Sequence, residues 1–148
     1  MKRFVSIWFP YLKTDWFAIR QPDLRHVPFV LVKPDRGRKL ITEANELAIQ
    51  ESIHAGMVAA DAKAILPSLE AIDDPIDLTE RLLKRIAAWC IRFSPTVAID
   101  ADDGLILDVT GCSHLWGGDA PYVKNITERF KKIGYSVRVS IADTIGAA

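Results

Sequence analysis

The apolar positions fall in short blocks whose period changes along the chain. Phe4 to Phe9 (FVSIWF) is an apolar, aromatic and β-branched run, which predicts a buried strand ended by Pro10. Lys13 to Arg20 predicts a short helix stopping before Gln21-Pro22. Pro28 to Val32 (PFVLV) predicts a second buried strand, and Lys39 to Thr42 a third. Between them, Pro34-Asp35-Arg36-Gly37-Arg38 has the composition of a turn with basic decoration.

Residues 43 to 66 predict helix with a break at Ala55-Gly56; the last part, AADAKAIL, is rich in helix formers and stops at Pro67. Asp73-Asp74-Pro75 predicts a linker. Asp77 and Glu80 then stand at a capping-box spacing, and Leu78, Leu82, Ile86, Cys90 and Phe93 follow at helical spacing until Ser94-Pro95.

Thr96 to Ile99 and Leu105 to Thr110 predict two strands joined by the turn Asp100-Ala101-Asp102-Asp103-Gly104. Asp119 is the expected cap of a second long helix, with Val123, Ile126, Phe130 and Ile133 on its buried face and Gly134 at its end. In Ser136 to Ile141, Val137, Val139 and Ile141 alternate with Ser136, Arg138 and Ser140, the pattern of a half-buried strand. Ile145-Gly146-Ala147-Ala148 has the pattern of a helix start, so the expectation is a chain truncated at its C-terminus.

This order predicts an α+β sheet covered by helices on one face. The expected division is 1–42, a helical insertion at 43–75, and 76–148. At 148 residues one compact domain is the default. Nineteen basic and nineteen acidic residues give zero formal net charge, so no whole-molecule field steers the protein to nucleic acid, although a local basic patch remains open. Two distant cysteines, Cys90 and Cys112, are too few for a disulfide framework, and a reduced, cytoplasmic protein is the expectation. Pro10 and Lys13 break the N-terminal apolar run, which makes a poor signal peptide, and no stretch approaches a membrane span.

Several segments carry a resemblance. Thr42-Glu43-Ala44-Asn45-Glu46-Leu47-Ala48, His54-Ala55-Gly56-Met57 and Ala62-Lys63-Ala64-Ile65-Leu66-Pro67 resemble the fingers of Y-family (UmuC/DinB-like) translesion DNA polymerases. Leu107-Asp108-Val109-Thr110-Gly111 is similar to the end of their second catalytic motif, and Ser136 to Ala148 to the next palm strand and helix. The ordered set runs from about residue 4 to 148. The resemblance implies a ferredoxin-like palm, mainly antiparallel, with a small helical fingers insertion.

It also implies where metal and triphosphate ligands belong. Phosphoryl transfer by this chemistry needs two metal ions held by converging carboxylates, since Mg²⁺ prefers oxygen ligands. The family places two aspartates in its first strand; Trp8 and Pro10 stand there, or Leu12 and Thr14 if the frame is anchored on Trp16-Phe17-Ala18. Asp15 is the only carboxylate nearby. An adjacent aspartate and glutamate of the second motif fall on Asp103 and Gly104, or on Asp100 and Ala101 in a gapped frame. The tyrosine and arginine facing the triphosphate fall on Glu46 and Ile49; a glutamate repels phosphate and an isoleucine cannot pair with it.

Matched framework and missing ligands resemble the polymerase-inactive branch of the family, found in the bacterial mutagenesis cassette. That branch implies a scaffold in DNA-damage-induced translesion synthesis, without a cofactor. Its implied partners are DNA, the sliding clamp, a RecA-like accessory protein and an error-prone C-family polymerase, met mainly through other regions. Two alternatives stand beside it. One is an active divergent polymerase using Asp15, Asp103 or Asp108 with Mg²⁺. The other is a ferredoxin-like partner-binding module unrelated to polymerases.

Single features also have plainer readings. Asp100, Asp102 and Asp103 suit an exposed turn as well as a residual metal site, for which Asp103 is the candidate. Cys112 and His114 are too few for zinc. Arg36, Arg38 and Lys39 are the candidate contacts to a nucleic-acid backbone, or a solvated turn. Lys124, Lys131 and Lys132 read as a solvated helix face. The four tryptophans read as core or interface.

Overall fold

A computed structural model describes residues 2–100 and 103–148. Along the chain run β1 (Phe4–Trp8), α1 (Leu12–Arg20), β2 (Phe29–Asp35), β3 (Arg38–Ala44), α2 (Glu46–Gln50), α3 (Ala59–Ile65) and β4 (Glu70–Asp73). Then follow α4 (Leu78–Trp89), β5 (Thr96–Asp100), β6 (Gly104–Asp108), α5 (Asp119–Ile133) and β7 (Arg138–Ala142). Two compact units form. One holds the chain up to Pro10 together with Thr79–Ala148, and the other is Tyr11–Leu78.

The first unit is the expected α+β fold. Its sheet has the order β5-β6-β1-β7, antiparallel throughout, and its elements follow one another as β-α-β-β-α-β. That is the ferredoxin-like split βαβ arrangement. Val5, Ile7, Leu105 and Leu107 are fully buried on one face of the sheet. Leu82, Ile86, Cys90 and Phe93 lie inside at the helical spacing the sequence predicts for α4. Aromatic edges meet there: Phe9 and Phe130 have ring centroids 5.2 Å apart, and Trp89 and Phe130 5.0 Å. Burial pushes the Cys90 thiol up to about 12, so it serves as a core residue.

Two helix caps differ from expectation. Asp77 takes φ +60°, not the extended geometry of a capping residue. Gly118 is the N-cap of α5; Asp119 is its first residue and spends its carboxylate on Arg3, whose guanidinium also binds Asp143. The buried face of α5 is Tyr122, Ile126 and Phe130, while Val123 is half-buried and Ile133 exposed. Tyr122 can be interior because its hydroxyl donates to the Phe93 carbonyl at 2.5 Å.

The second unit is not purely helical. β2 pairs antiparallel with β3 and parallel with β4, giving a sheet of order β3-β2-β4. Residues 11–42 therefore belong with 43–78, where the sequence reading had joined 1–42 to the palm. The expected helix from 43 does not begin there, because β3 continues to Ala44 and the Thr42 hydroxyl donates to the Leu31 carbonyl at 3.2 Å. Asn45 then caps α2: its Oδ1 accepts from the backbone N–H groups of Ala48 at 3.0 Å and Phe29 at 3.1 Å, and its Nδ2 donates to the Val27 carbonyl at 2.9 Å. β4 lies partly in the expected linker. Val30, Val32, Ile41, Ala48, Ile53 and Ala62 form this unit's core.

Candidate functional site

Strand register brings four residues into one row across the first sheet. Asp100 of β5 faces Gly104 of β6, Gly104 faces Trp8 of β1, and Trp8 faces Arg138 of β7. Directly opposed residues share a face of the sheet, and it is the face opposite to buried Val5 and Ile7. Thus the first-strand position Trp8 and the second-motif position Gly104 do stand side by side.

What they offer is not a metal site. Trp8 is 41% exposed, and its indole Nε1 donates to Asp103 Oδ2 at 2.8 Å. The Arg138 guanidinium lies over the Trp8 ring, 5.4 Å from its centroid. The backbone also ties the corner: the Phe9 N–H donates to the Asp103 carbonyl at 2.9 Å. Gly104 has no side chain, and a Cβ built there would stand 3.0 Å from the Ile7 carbonyl oxygen and 3.4 Å from that of Asp100. Pro10 follows β1 with no polar side chain. Around Trp8 these residues supply one carboxylate, that of Asp103, already hydrogen-bonded to an indole, a stacked cation, and a crowded glycine, with Asp100 two strands away at the end of the row. They do not fit a pair of Mg²⁺ ions.

In the first unit, Asp108 and Asp100 each lie apart from Trp8. Asp108 ends β6, five residues from Asp103, about 17 Å along an extended strand. Its Oδ1 accepts from the Thr110 N–H at 3.1 Å, and hydrogen bonding to Thr110 holds its pKa below the usual carboxylate range. Asp100 lies two strands from Trp8, about 10 Å away. Asp15 sits on α1 in the other unit, where Leu12 and Thr14 of the second frame are buried. Ala101 and Asp102 fall outside the described residues. Among those described, no group of three or more His, Cys, Asp or Glu residues is arranged to hold a metal ion.

In the second unit Glu46 and Ile49 sit on α2, both exposed, Ile49 by 45%. Arg36 and Gly37 form the tip of the β2–β3 hairpin with φ of +51° and +79°; Arg36, Arg38 and Lys39 are exposed. Lys39 Nζ lies 3.5 Å from Asp73 Oδ1, a pair open to solvent.

Sequence reasoning missed Arg138 as part of the corner, since alternation showed only that it faces outward. It also missed Glu43. That carboxylate accepts from the N–H groups of Lys13 at 3.2 Å and Thr14 at 3.4 Å, while Lys13 Nζ binds Asp74 Oδ2 at 2.7 Å. No local spacing signals contacts about 30 residues apart.

The fold is that of Y-family polymerases. The structure matches an insertion ternary complex of Dbh DNA polymerase with a TM-score of 0.79 and 20% identity, over 95% of this chain and 42% of that one. It matches DinB from Sulfolobus solfataricus with a TM-score of 0.78 and 20% identity, over the same shares. The chain belongs to the impB/mucB/samB family, whose sequence profile matches residues 7–148. Protein ImuB of Caulobacter vibrioides (strain NA1000 / CB15N) is 47% identical over 93 residues, 63% of this chain and 20% of that protein. DNA polymerase IV of Marinomonas sp. (strain MWYL1) is 25% identical over 122 residues, 82% of this chain and 35% of that enzyme. The matched segment thus spans about a fifth to a third of these relatives. Among the described residues no helix is long and apolar enough to cross a membrane.

Proposed function

We propose that this protein is a non-catalytic Y-family scaffold of DNA-damage-induced translesion synthesis and mutagenesis, its first unit acting as palm and its second as fingers. The observation that carries the reading is the Trp8–Asp103 hydrogen bond. An indole N–H occupies a carboxylate oxygen where a polymerase would present that oxygen to a cation. The identity to Protein ImuB supports the same placement. On this reading the protein acts in the bacterial cytoplasm by holding others on DNA: the sliding clamp, a RecA-like accessory protein and an error-prone C-family polymerase. Its own contribution to DNA comes through Arg36, Arg38 and Lys39.

Primer extension by the full-length gene product, in Mg²⁺ and then Mn²⁺, tests the reading. No extension in either metal is the expected result. Extension that disappears in Asp103→Ala would instead establish an active divergent polymerase. That alternative has to work with Asp103 and Asp108 at opposite ends of one strand.

A further inference from the structure

At the end of the sheet away from Trp8 the first unit opens a cleft of about 400 Å³. Its floor is Phe93, 3% exposed, and Trp116, whose rings lie 5.8 Å apart. Ile91 and Leu115 stand at its mouth, 57% and 75% exposed, and among the described residues no carboxylate lines it. Two apolar residues left this open beside an aromatic floor mark an interaction surface more than a solvated one.

Arg92 lines the cleft, and Arg129 lies over the two rings of its floor. Arg92 Cζ sits 4.1 Å from the Trp89 ring centroid, and Arg129 Cζ is 5.7 Å from those of both Phe93 and Trp116. Among the described residues neither guanidinium has a carboxylate partner in an ion pair. Arg92 Nε donates to the Trp89 carbonyl at 3.0 Å, which fixes the guanidinium over that ring and leaves its terminal N–H groups for a carboxylate, while Arg129 lies over the Phe93 and Trp116 rings. Pro95, another lining residue, leads directly into β5, the outermost strand of the sheet. A free strand edge beside an apolar cleft is the combination that accepts an extended peptide.

We propose that this cleft docks an extended acidic peptide segment of a partner protein. One bulky apolar side chain seats between Ile91 and Leu115 over Phe93 and Trp116. Flanking carboxylates meet Arg92 and Arg129, and the peptide backbone continues along β5. The volume is in the range of about 300–1,000 Å³ typical of ligand clefts. This surface is independent of whether the Trp8 corner is catalytic.

The test uses fluorescein-labelled hexapeptides with a central Leu, Phe or Trp between aspartates, and lysine-flanked counterparts. Binding to the full-length protein is read by fluorescence polarisation. Acidic peptides should bind at least about tenfold more tightly than lysine ones. Arg129→Glu, which is exposed and leaves the core intact, should lower acidic-peptide affinity about tenfold and improve binding of the lysine peptides. Leu115→Asp should weaken acidic-peptide binding, and Lys63→Ala, at an exposed position of the second unit, should leave it unchanged. Equal affinity for both peptide classes, an indifferent Arg129→Glu, or no binding by any peptide overturns the proposal. So does a concentration-dependent dimer that Leu115→Asp dissolves, because the cleft's occupant would then be a second copy of this chain.

Discussion

Trp8 and Asp103, ninety-five residues apart in sequence, are joined by an indole-to-carboxylate hydrogen bond of 2.8 Å. The register of β1 against β6 makes this contact possible, since Trp8 lies opposite Gly104 and the Asp103 carbonyl receives the Phe9 N–H. Arg138 covers the ring from β7. The indole thus joins two strands and a turn: its N–H is taken by Asp103 and its face by Arg138.

Restoring one ligand should not restore a metal site. Trp8→Asp places a second carboxylate beside Asp103 but leaves Pro10 and Gly104 without oxygen ligands. The expected outcome is no Mg²⁺-dependent primer extension and no Mg²⁺ binding by calorimetry. Loss of the indole bond should cost about 0.5–1.5 kcal/mol of stability, read by denaturant unfolding. Extension by this single variant would contradict the scaffold reading.

Gly104 is constrained by space. A Cβ there meets the Ile7 carbonyl oxygen at 3.0 Å, and that atom belongs to the central strand of the sheet, which cannot yield as a flexible side chain would. Gly104→Ala should therefore destabilise the protein by about 1–3 kcal/mol, seen as a lowered denaturation midpoint with unchanged slope. A glutamate at this position, the residue a metal site asks for, meets the same obstacle.

The palm was legible in the sequence because its signals are local. Pro10, Ser94-Pro95 and Gly134 punctuate it, the apolar spacing from Leu82 to Phe93 runs through α4 and the 3-10 turn that follows it, and alternation marks β7. The second unit was read less well because its strands owe their existence to distant partners. β4 has four residues and pairs parallel with β2, some forty residues earlier. Ala44 reads as helix former and Asn45 as helix interior until β2 is in place to receive them. The site had the same asymmetry. Aligning motifs located Trp8, Asp103 and Gly104, but the bond that links two of them and the arginine above required the register of three strands.

Asn45 concentrates the connections of the second unit. It caps α2, receives the Phe29 N–H at the start of β2 and donates to the Val27 carbonyl, while being 9% exposed. Asn45→Ala removes a cap and leaves backbone groups unpaired, so the expected cost is about 2–4 kcal/mol in thermal or chemical unfolding. Asn45→Asp retains the acceptor yet turns the donor facing Val27 into an acceptor, and should recover only part of that loss.

Glu43 gives the second unit a pH dependence of defined sign. Burial raises its pKa above the usual carboxylate range; the Thr14 and Lys13 N–H groups and the Lys13 charge pull it back without cancelling the effect. The folded state thus holds this proton more tightly than the unfolded state. The group's stabilising contribution is complete below the ordinary carboxylate value and declines as pH rises through the folded value. Glu43→Gln keeps an acceptor for the α1 amides and removes the titration. Its stability relative to the parent should increase between pH 4 and pH 7; a constant difference across that range would show that the carboxyl does not titrate differently on folding.

The hairpin cations give a prediction separable from stability. Arg36, Arg38 and Lys39 project from a solvated β2–β3 tip, and the Lys39–Asp73 pair is too exposed to hold Lys39 from another anion. If these three side chains meet phosphates, each contact releases counterions, and log affinity falls with log salt by about 0.9 per phosphate on duplex DNA or 0.7 on a single strand. Replacing all three with alanine should therefore weaken DNA binding by the full-length protein at low salt and flatten the salt slope by about two to three. It should do so equally for unrelated DNA sequences, because backbone contacts carry no base information. Unfolding midpoints should stay within about 0.5 kcal/mol of the parent, as expected for surface substitutions. An unchanged slope with weakened affinity would place the phosphate contacts elsewhere and leave the tip a solvated turn.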